Sequence, residues 1–318
     1  MALLLFIAVF LVSLISVFFT AKKMKKLKVL GRDINKKEKV FLPEATGIAL
    51  LVPLWLGILY IVFFENYNPA FIILALAVTG FSIIGLLDDL KKIFGNISWK
   101  KRAGPVALFS LVFAFLFTPD FLWVPFLAVY IAGIASLQNT FAGMNGWEIG
   151  SGFIISCFVV ILLLSTQFFL PAIVLCAMVL GLLFWNFFPA KVFPGDSGTL
   201  LIGGMIAGIM VETENVLLMG TVFLFFIPHL IDFFLLKLRT NKKDVSQKAM
   251  FPYELDEKQR IKIPEYKDKS QRLDFAKLII KIFGPKKEWW IVLLIWIFVF
   301  LNCLLWFFVF QSARELVF

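Results

Sequence analysis

The chain has 318 residues, 61% of them hydrophobic and only 16% charged, with 39 phenylalanines and a mean hydropathy of +0.92. A soluble domain carries about 25% charged residues, enough to wrap an apolar interior in a polar shell. Too little polar sequence is present here for such a shell, which excludes a water-soluble globular protein and makes lipid the solvent for most of the chain. The net charge of +10 would suggest nucleic acid in a soluble protein. Its placement argues for a topological role instead.

Apolar runs cover about residues 2–21, 45–64, 69–87, 103–117, 121–137, 149–166, 168–187, 199–211, 216–236 and 289–310. The runs at 103–117 and 199–211 fall short of the roughly 17–25 residues that a bilayer core demands. Charge supports counting them. If all ten runs cross, the loops 22–44, 88–102, 138–148, 188–198 and 237–288 share one side and carry 30 of the 31 basic residues, leaving only Arg314 opposite. By the positive-inside rule that side is cytoplasmic. The expectation is an all-α, polytopic cell-membrane protein: one transmembrane domain over 1–318, ten transmembrane helices, both termini outside and any active-site loops in the cytoplasm. A signal peptide is the alternative for the first run, but its charges follow the apolar stretch and no small-residue cleavage site is evident.

The polar, Gly-rich segments all fall on the cytoplasmic side. The first, AKKMKKLKVLGRDINKKEK, reads as a topogenic anchor near anionic lipid. Asp88-Asp89, in GLLDDL, has a bland reading as a solvated, salt-bridged helix end; since adjacent helical residues point about 100° apart, only one of the two could face a site. The loop NTFAGMNGWEIG, Asn139–Gly150, contains amides, glycines and a carboxylate but no basic residue, although Gly and Asn are also ordinary turn residues. The segment NFFPAKVFPGDSGTLLIGG is the most specific. It places Asp196 beside Ser197-Gly198-Thr199 opening a helix, and exposed N–H groups at a helix start suit a diphosphate held through Mg²⁺. It is not a P-loop.

His229, the only histidine, lies one helical turn from Asp232 and reads as a local hydrogen-bonding residue. The long polar segment 237–288 contains SQRLDFAKLIIKIF, which sets Leu273, Ala276, Ile280 and Phe283 on one face before a Gly284-Pro285 stop, as expected of an interfacial helix on the membrane. Cys157, Cys176 and Cys303 all sit in apolar stretches, as small buried or lipid-facing residues.

Four segments in this order, GRDINKKEKVFLPEATG, GLLDD, NTFAGMNGWEIG and NFFPAKVFPGDSG, resemble the polyprenyl-phosphate N-acetylhexosamine-1-phosphate transferase family over the whole chain. NGWEIG is more similar to the dolichyl-phosphate GlcNAc-1-phosphate branch of archaea and eukaryotes than to the bacterial cell-wall branch, whose last cytoplasmic loop is His-rich. The resemblance implies ten helices, a cytoplasmic site, and transfer of GlcNAc-1-phosphate from UDP-GlcNAc to a polyprenyl (dolichyl) phosphate with release of UMP. It implies Mg²⁺, with Mn²⁺ as the alternative ion, bound by Asn186 and Asp196. Asp88 or Asp89 would assist the acceptor phosphate. Asn139 and Asn145 would face the nucleotide, Phe193 would stack on uracil, and Glu44 would contact the sugar. Glu148 would lie near enough to disfavour an anionic muramoyl donor. Lys101, Arg102 and Arg239 would meet phosphate. Membrane lipid is a further partner and a homodimer one candidate assembly. The competing readings are a bacterial-type transferase of another UDP-N-acetylhexosamine, or a flippase of lipid-linked substrates.

Overall fold

A computed structural model describes residues 1–65, 68–94, 100–118, 120–238, 253–264 and 273–317; at 69, 91–94, 100–103 and 315–317 it describes the backbone alone. Every apolar run is helical. In chain order the helices are α1 (Ala2–Lys26), a 3₁₀ turn (Thr46–Leu50) running into α2 (Leu51–Phe64), α3 (Pro69–Phe94), α4 (Lys100–Phe117), α5 (Val124–Thr140), α6 (Trp147–Leu162), α7 (Phe169–Asn186), α8 (Gly195–Glu212), α9 (Val216–Phe225), α10 (Ile227–Leu230) leading into a π-helical turn (Ile231–Lys237), α11 (Phe275–Phe283) and α12 (Glu288–Val317). Five of the described helices are long and apolar enough to cross a membrane, and the bent pair Val216–Phe225 and Ile227–Lys237 makes a sixth.

The all-α expectation needs one amendment. Two small antiparallel hairpins are present: β1 (Leu30–Asp33) pairs with β2 (Val40–Pro43), and β3 (Glu254–Leu255) with β4 (Ile261–Lys262). The first arises where the basic stretch stops being helical. Asp33 accepts the backbone N–H of Asn35 at 3.1 Å, an Asx-type turn that reverses the chain.

Helix α8 is the hub. Every residue from Ser197 to Val211 is buried, with α3, α5, α6 and α7 packed around it. The apolar run 199–211 is short because the helix begins earlier, at Gly195, in a polar first turn. Its small residues follow from its place: Gly203 lies against Ala135 of α5 and Gly204 against Phe81 of α3, contacts that a side chain would obstruct. Without a hydrophobic force between helices in lipid, close packing through small residues is what brings them together.

The run 216–236 is not one straight helix. It bends by 54° at Phe226, because Pro228 has no N–H and its ring excludes the preceding turn. Helix α11 also differs from expectation. It starts at Phe275, after the N-cap Asp274, whose carboxylate accepts the N–H of Lys277 at 2.8 Å, so Leu273 lies outside it. Its buried residues are Phe275, Ala276, Lys277, Ile279 and Ile280, and it packs on α12. Phe283 is exposed, and Gly284 ends the helix at a φ of 73°.

Candidate active site

A cleft opens where four distant segments converge: the β1–β2 turn, the loop between α5 and α6, the end of α7, and the strap leading into α8. Of the residues singled out from sequence, Asn145, Glu148, Asn186 and Phe193 line it. Arg32, Asp33, Asn35 and Met144 line it as well. None of these four has an individual role in the sequence reading, although Gly31-x-Asp33-x-Asn35-Lys36 stands in the segment GRDINKKEKVFLPEATG that carries the resemblance. The density of lysine around them made the segment look like a topogenic anchor.

The loop carrying Asn145 has little regular structure of its own and is held by side chains from elsewhere. Asn35 Nδ2 donates to the Gly143 carbonyl at 3.1 Å. The Asn145 N–H donates to Glu288 Oε1 at 2.9 Å, and its side-chain Nδ2 to Asp33 Oδ2 at 3.1 Å. Trp296 Nε1 reaches the Gly146 carbonyl at 3.2 Å. Glu288, at the start of α12 and 4% exposed, is bridged by Lys36 Nζ at 2.6 Å. That ammonium also lies 3.8 Å from Asp33 and 4.2 Å from the centre of the Phe188 ring. Lys36 and Glu288 together therefore tie the two walls of the cleft to α12.

Asn186 ends α7 and is 2% exposed. Its Oδ1 accepts the Gly146 N–H at 3.2 Å and its Nδ2 donates to the Val192 carbonyl at 3.0 Å, so the orientation of the amide is fixed. Phe193 is set by backbone pairing: its N–H donates to Pro43 O at 2.8 Å, and its carbonyl accepts from Thr46. Its ring and the Glu44 carboxylate both come up against Gly31, where a side chain would collide with them. Glu44 is thus beside Phe193 as a neighbour of the cleft.

Asp196 and the Asp88-Asp89 pair form a second group, at the junction of α3 and α8. Asp89 is fully buried, and its carboxylate accepts the N–H groups of Asp196 at 2.8 Å and Ser197 at 3.1 Å. Two consequences correct the sequence reading. Asp89 is no solvated helix end, and two of the N–H groups expected to be open to a diphosphate are already occupied by a carboxylate. Asp88 and Asp196 remain partly exposed.

Asn139 is not in the loop. It lies in the last turn of α5, where its Oδ1 accepts from Thr199 Oγ1 at 2.7 Å across to α8, and it does not line the cleft. Arg239 and the side chains of Lys101 and Arg102 lie outside the described residues. Asp232 does not pair with His229. It pairs with Lys237 at 2.6 Å, while His229 packs against Phe141 with ring centres 4.1 Å apart.

The sequence is similar to those of known proteins. A family model described as glycosyl transferase family 4 matches residues 71–214. A Sulfolobus acidocaldarius protein named as a UDP-N-acetylglucosamine–dolichyl-phosphate N-acetylglucosaminephosphotransferase is 30% identical over 315 residues, spanning 90% of this chain and 89% of its own. A Methanocaldococcus jannaschii protein named as a glycosyltransferase is 35% identical over 212 residues, 64% of this chain and 66% of the relative, just under two thirds of its length. A phospho-N-acetylmuramoyl-pentapeptide-transferase of Halalkalibacterium halodurans is 28% identical over 228 residues, 62% of this chain and 70% of its own. Similarity across nearly the full length of both chains places this membrane protein in glycosyl transferase family 4, among the polyprenyl-phosphate sugar-phosphate transferases.

Proposed function

We propose that the chain transfers GlcNAc-1-phosphate from UDP-GlcNAc to dolichyl phosphate, releasing UMP. The observation that carries this reading is the cleft: an aromatic ring, three oriented amides, two carboxylates and Arg32 converge from four segments on one side of a helical bundle. That combination suits a sugar nucleotide, with an aromatic face for the base, amides for hydroxyl and carbonyl groups, and a cation for phosphate. The protein of Sulfolobus acidocaldarius carries this activity in its name.

A phosphate oxygen of the acceptor attacks the sugar-proximal phosphorus of the donor, the bond from that phosphorus to the bridging oxygen of UMP breaks, and UMP leaves. Both reactants are anionic, so neutralisation and alignment dominate. Asp88 would orient the acceptor phosphate, because Asp89 is committed to α8. A phosphate monoester with a second pKa near about 6 is already largely dianionic at neutral pH and needs little base assistance, which favours direct attack over a covalent Asp intermediate. Asp196 and Asn186 are hard oxygen donors and fit Mg²⁺, with Mn²⁺ second. An ion held by these two groups would take the rest of its shell from substrate phosphate and water. When bound, such an ion would neutralise charge on the diphosphate.

The ten helical runs and the 30-to-1 partition of basic residues support ten crossings, with the cleft in the cytoplasm and both termini outside. The decisive experiment incubates the purified chain with Mg²⁺, dolichyl phosphate and a panel of UDP-sugars and assays UMP. UDP-GlcNAc should be the best donor. Equal or faster release with UDP-MurNAc-pentapeptide would move the chain to the cell-wall branch, and no release with any donor would favour a flippase.

A further inference from the structure

We propose that Lys237 is a positioning residue of the active site: with Asp232 it grips the end of α5 and the first residues of the Asn145 loop, and thereby sets how tightly the donor nucleotide is held. The proposal rests on the reading of the cleft as the donor site. Lys237 Nζ, with its side chain 8% exposed, donates to the Thr140 carbonyl at 2.6 Å and the Ala142 carbonyl at 3.4 Å, and pairs with Asp232 Oδ2 at 2.6 Å. Thr140 is the last residue of α5, and Gly143, Met144 and Asn145 follow at the cleft. The ammonium thus lies between a carboxylate and the negative end of a helix dipole, in a place where water cannot substitute for it.

Local backbone geometry produces the pair. Residues five apart in an α-helix point about 140° away from each other. Here the chain from Ile231 to Lys237 is π-helical, with the Leu238 N–H donating to Phe233 O at 2.9 Å. The wider turn brings Asp232 and Lys237 to one side. Single π turns of this kind concentrate at functional sites. Asp232 is held in turn, since its Oδ1 accepts the Phe275 N–H at 2.9 Å at the start of α11.

An apolar anchor sits beside the ionic one. Phe141, 1% exposed, is packed by His229, Trp147 and Phe275 with ring centres at 4.1, 5.2 and 5.9 Å. Residues 140–142 are therefore fixed by α10, the π turn and α11, none of which lines the cleft, and by Trp147 at the start of α6. Releasing the grip lets Asn145 drift relative to Asn186 and Phe193, which weakens donor binding more than it slows a bound donor.

The test compares the full chain with Lys237→Met, Lys237→Arg and the double variant Asp232→Asn/Lys237→Met, reading kcat and KM for UDP-GlcNAc and the affinity for UMP by calorimetry. Lys237→Met should raise KM and the UMP Kd about tenfold while kcat changes less than about threefold, and Lys237→Arg should recover most of that loss. Because Lys237→Met strands a buried carboxylate, the double variant removes both charges and should fold yet keep the weakened UMP affinity. Native KM and UMP affinity in the double variant would overturn the proposal. So would a fall in kcat alone, and so would failure of the double variant to fold, since the pair would then carry stability instead of loop geometry. If the wild type binds UMP but turns over no UDP-sugar, the proposed reaction fails, while the UMP affinities still decide the role of Lys237.

Discussion

The carboxylate of Asp89 accepts the backbone N–H groups of Asp196 at 2.8 Å and Ser197 at 3.1 Å. One aspartate of an adjacent pair thereby caps α8 from another helix and places Asp196 at the α3–α8 junction. A buried carboxylate is costly unless its oxygens are used, and here the unsatisfied donors of a helix start use them. Asp88, by contrast, is partly exposed.

The two aspartates should therefore separate by assay. Asp89→Ala should lower unfolding free energy by about 1–3 kcal/mol, the loss expected when charge-assisted bonds to two buried N–H groups disappear, and thermal unfolding in detergent reads it. Asp88→Asn should leave the melting curve in place and reduce UMP release. A reversed pattern would reject this division of labour.

Gly195→Ala tests the same junction from the other side. Gly195 has a φ of 67°, where L side chains are strained, and an added Cβ would collide with the Asp89 carboxylate. Destabilisation of about 1–3 kcal/mol is expected, together with reduced turnover as Asp196 shifts. Unchanged melting and turnover would show that the junction is soft.

Asp196→Asn should reduce UMP release by roughly 100-fold or more at saturating Mg²⁺ with little change in melting temperature, since the cap depends on the backbone N–H and not on the side chain. Near-normal turnover would remove Asp196 from the metal assignment.

Glu288→Ala removes the nearer of the two carboxylates at Lys36 and the acceptor of the Asn145 N–H. Breaking one side of a buried pair costs about 3–5 kcal/mol in well-enclosed cases. Lys36 is 25% exposed, so a loss toward or below the lower end is expected, along with weaker UDP-GlcNAc binding by calorimetry. The double variant Lys36→Ala/Glu288→Ala should lose less stability than the sum of the singles. Additive losses would mean the two residues do not act as a pair.

Topology has a direct test. Cysteines introduced as Lys248→Cys and Asn215→Cys should react with an impermeant maleimide from opposite sides of sealed vesicles. Reaction of both from one side would mean that the bent pair Val216–Phe225 and Ile227–Lys237 does not cross.

The helical architecture was largely legible because lipid imposes it: an apolar run with no competing solvent must satisfy its backbone by forming a helix, and each of the ten runs does so. The segments that carry Asn145, Glu148, Asn186 and Phe193 were legible because polar, Gly-rich sequence is conspicuous against an apolar background. Less visible were the residues whose importance depends on a distant partner. Glu288 looks like an ordinary helix start until Asn145 is seen to bond to it. Asn139 looks like a loop amide until Thr199 claims it.

Composition and charge order by themselves determined that this chain belongs in a membrane, and its motifs pointed to sugar-phosphate transfer, because hydropathy, charge bias and motif spacing are properties of local sequence. Only the tertiary structure decided which aspartate of the pair is a cap, that Asp232 belongs with Lys237 and not His229, and that Asp33 and Asn35 line the cleft with Lys36 bracing it against Glu288. Each of those outcomes depends on hydrogen-bond donors and acceptors up to 252 residues apart, as for Lys36 and Glu288, or on a π turn that changes which side chains share a face. Satisfying buried polar groups is a three-dimensional condition, and no local pattern encodes it.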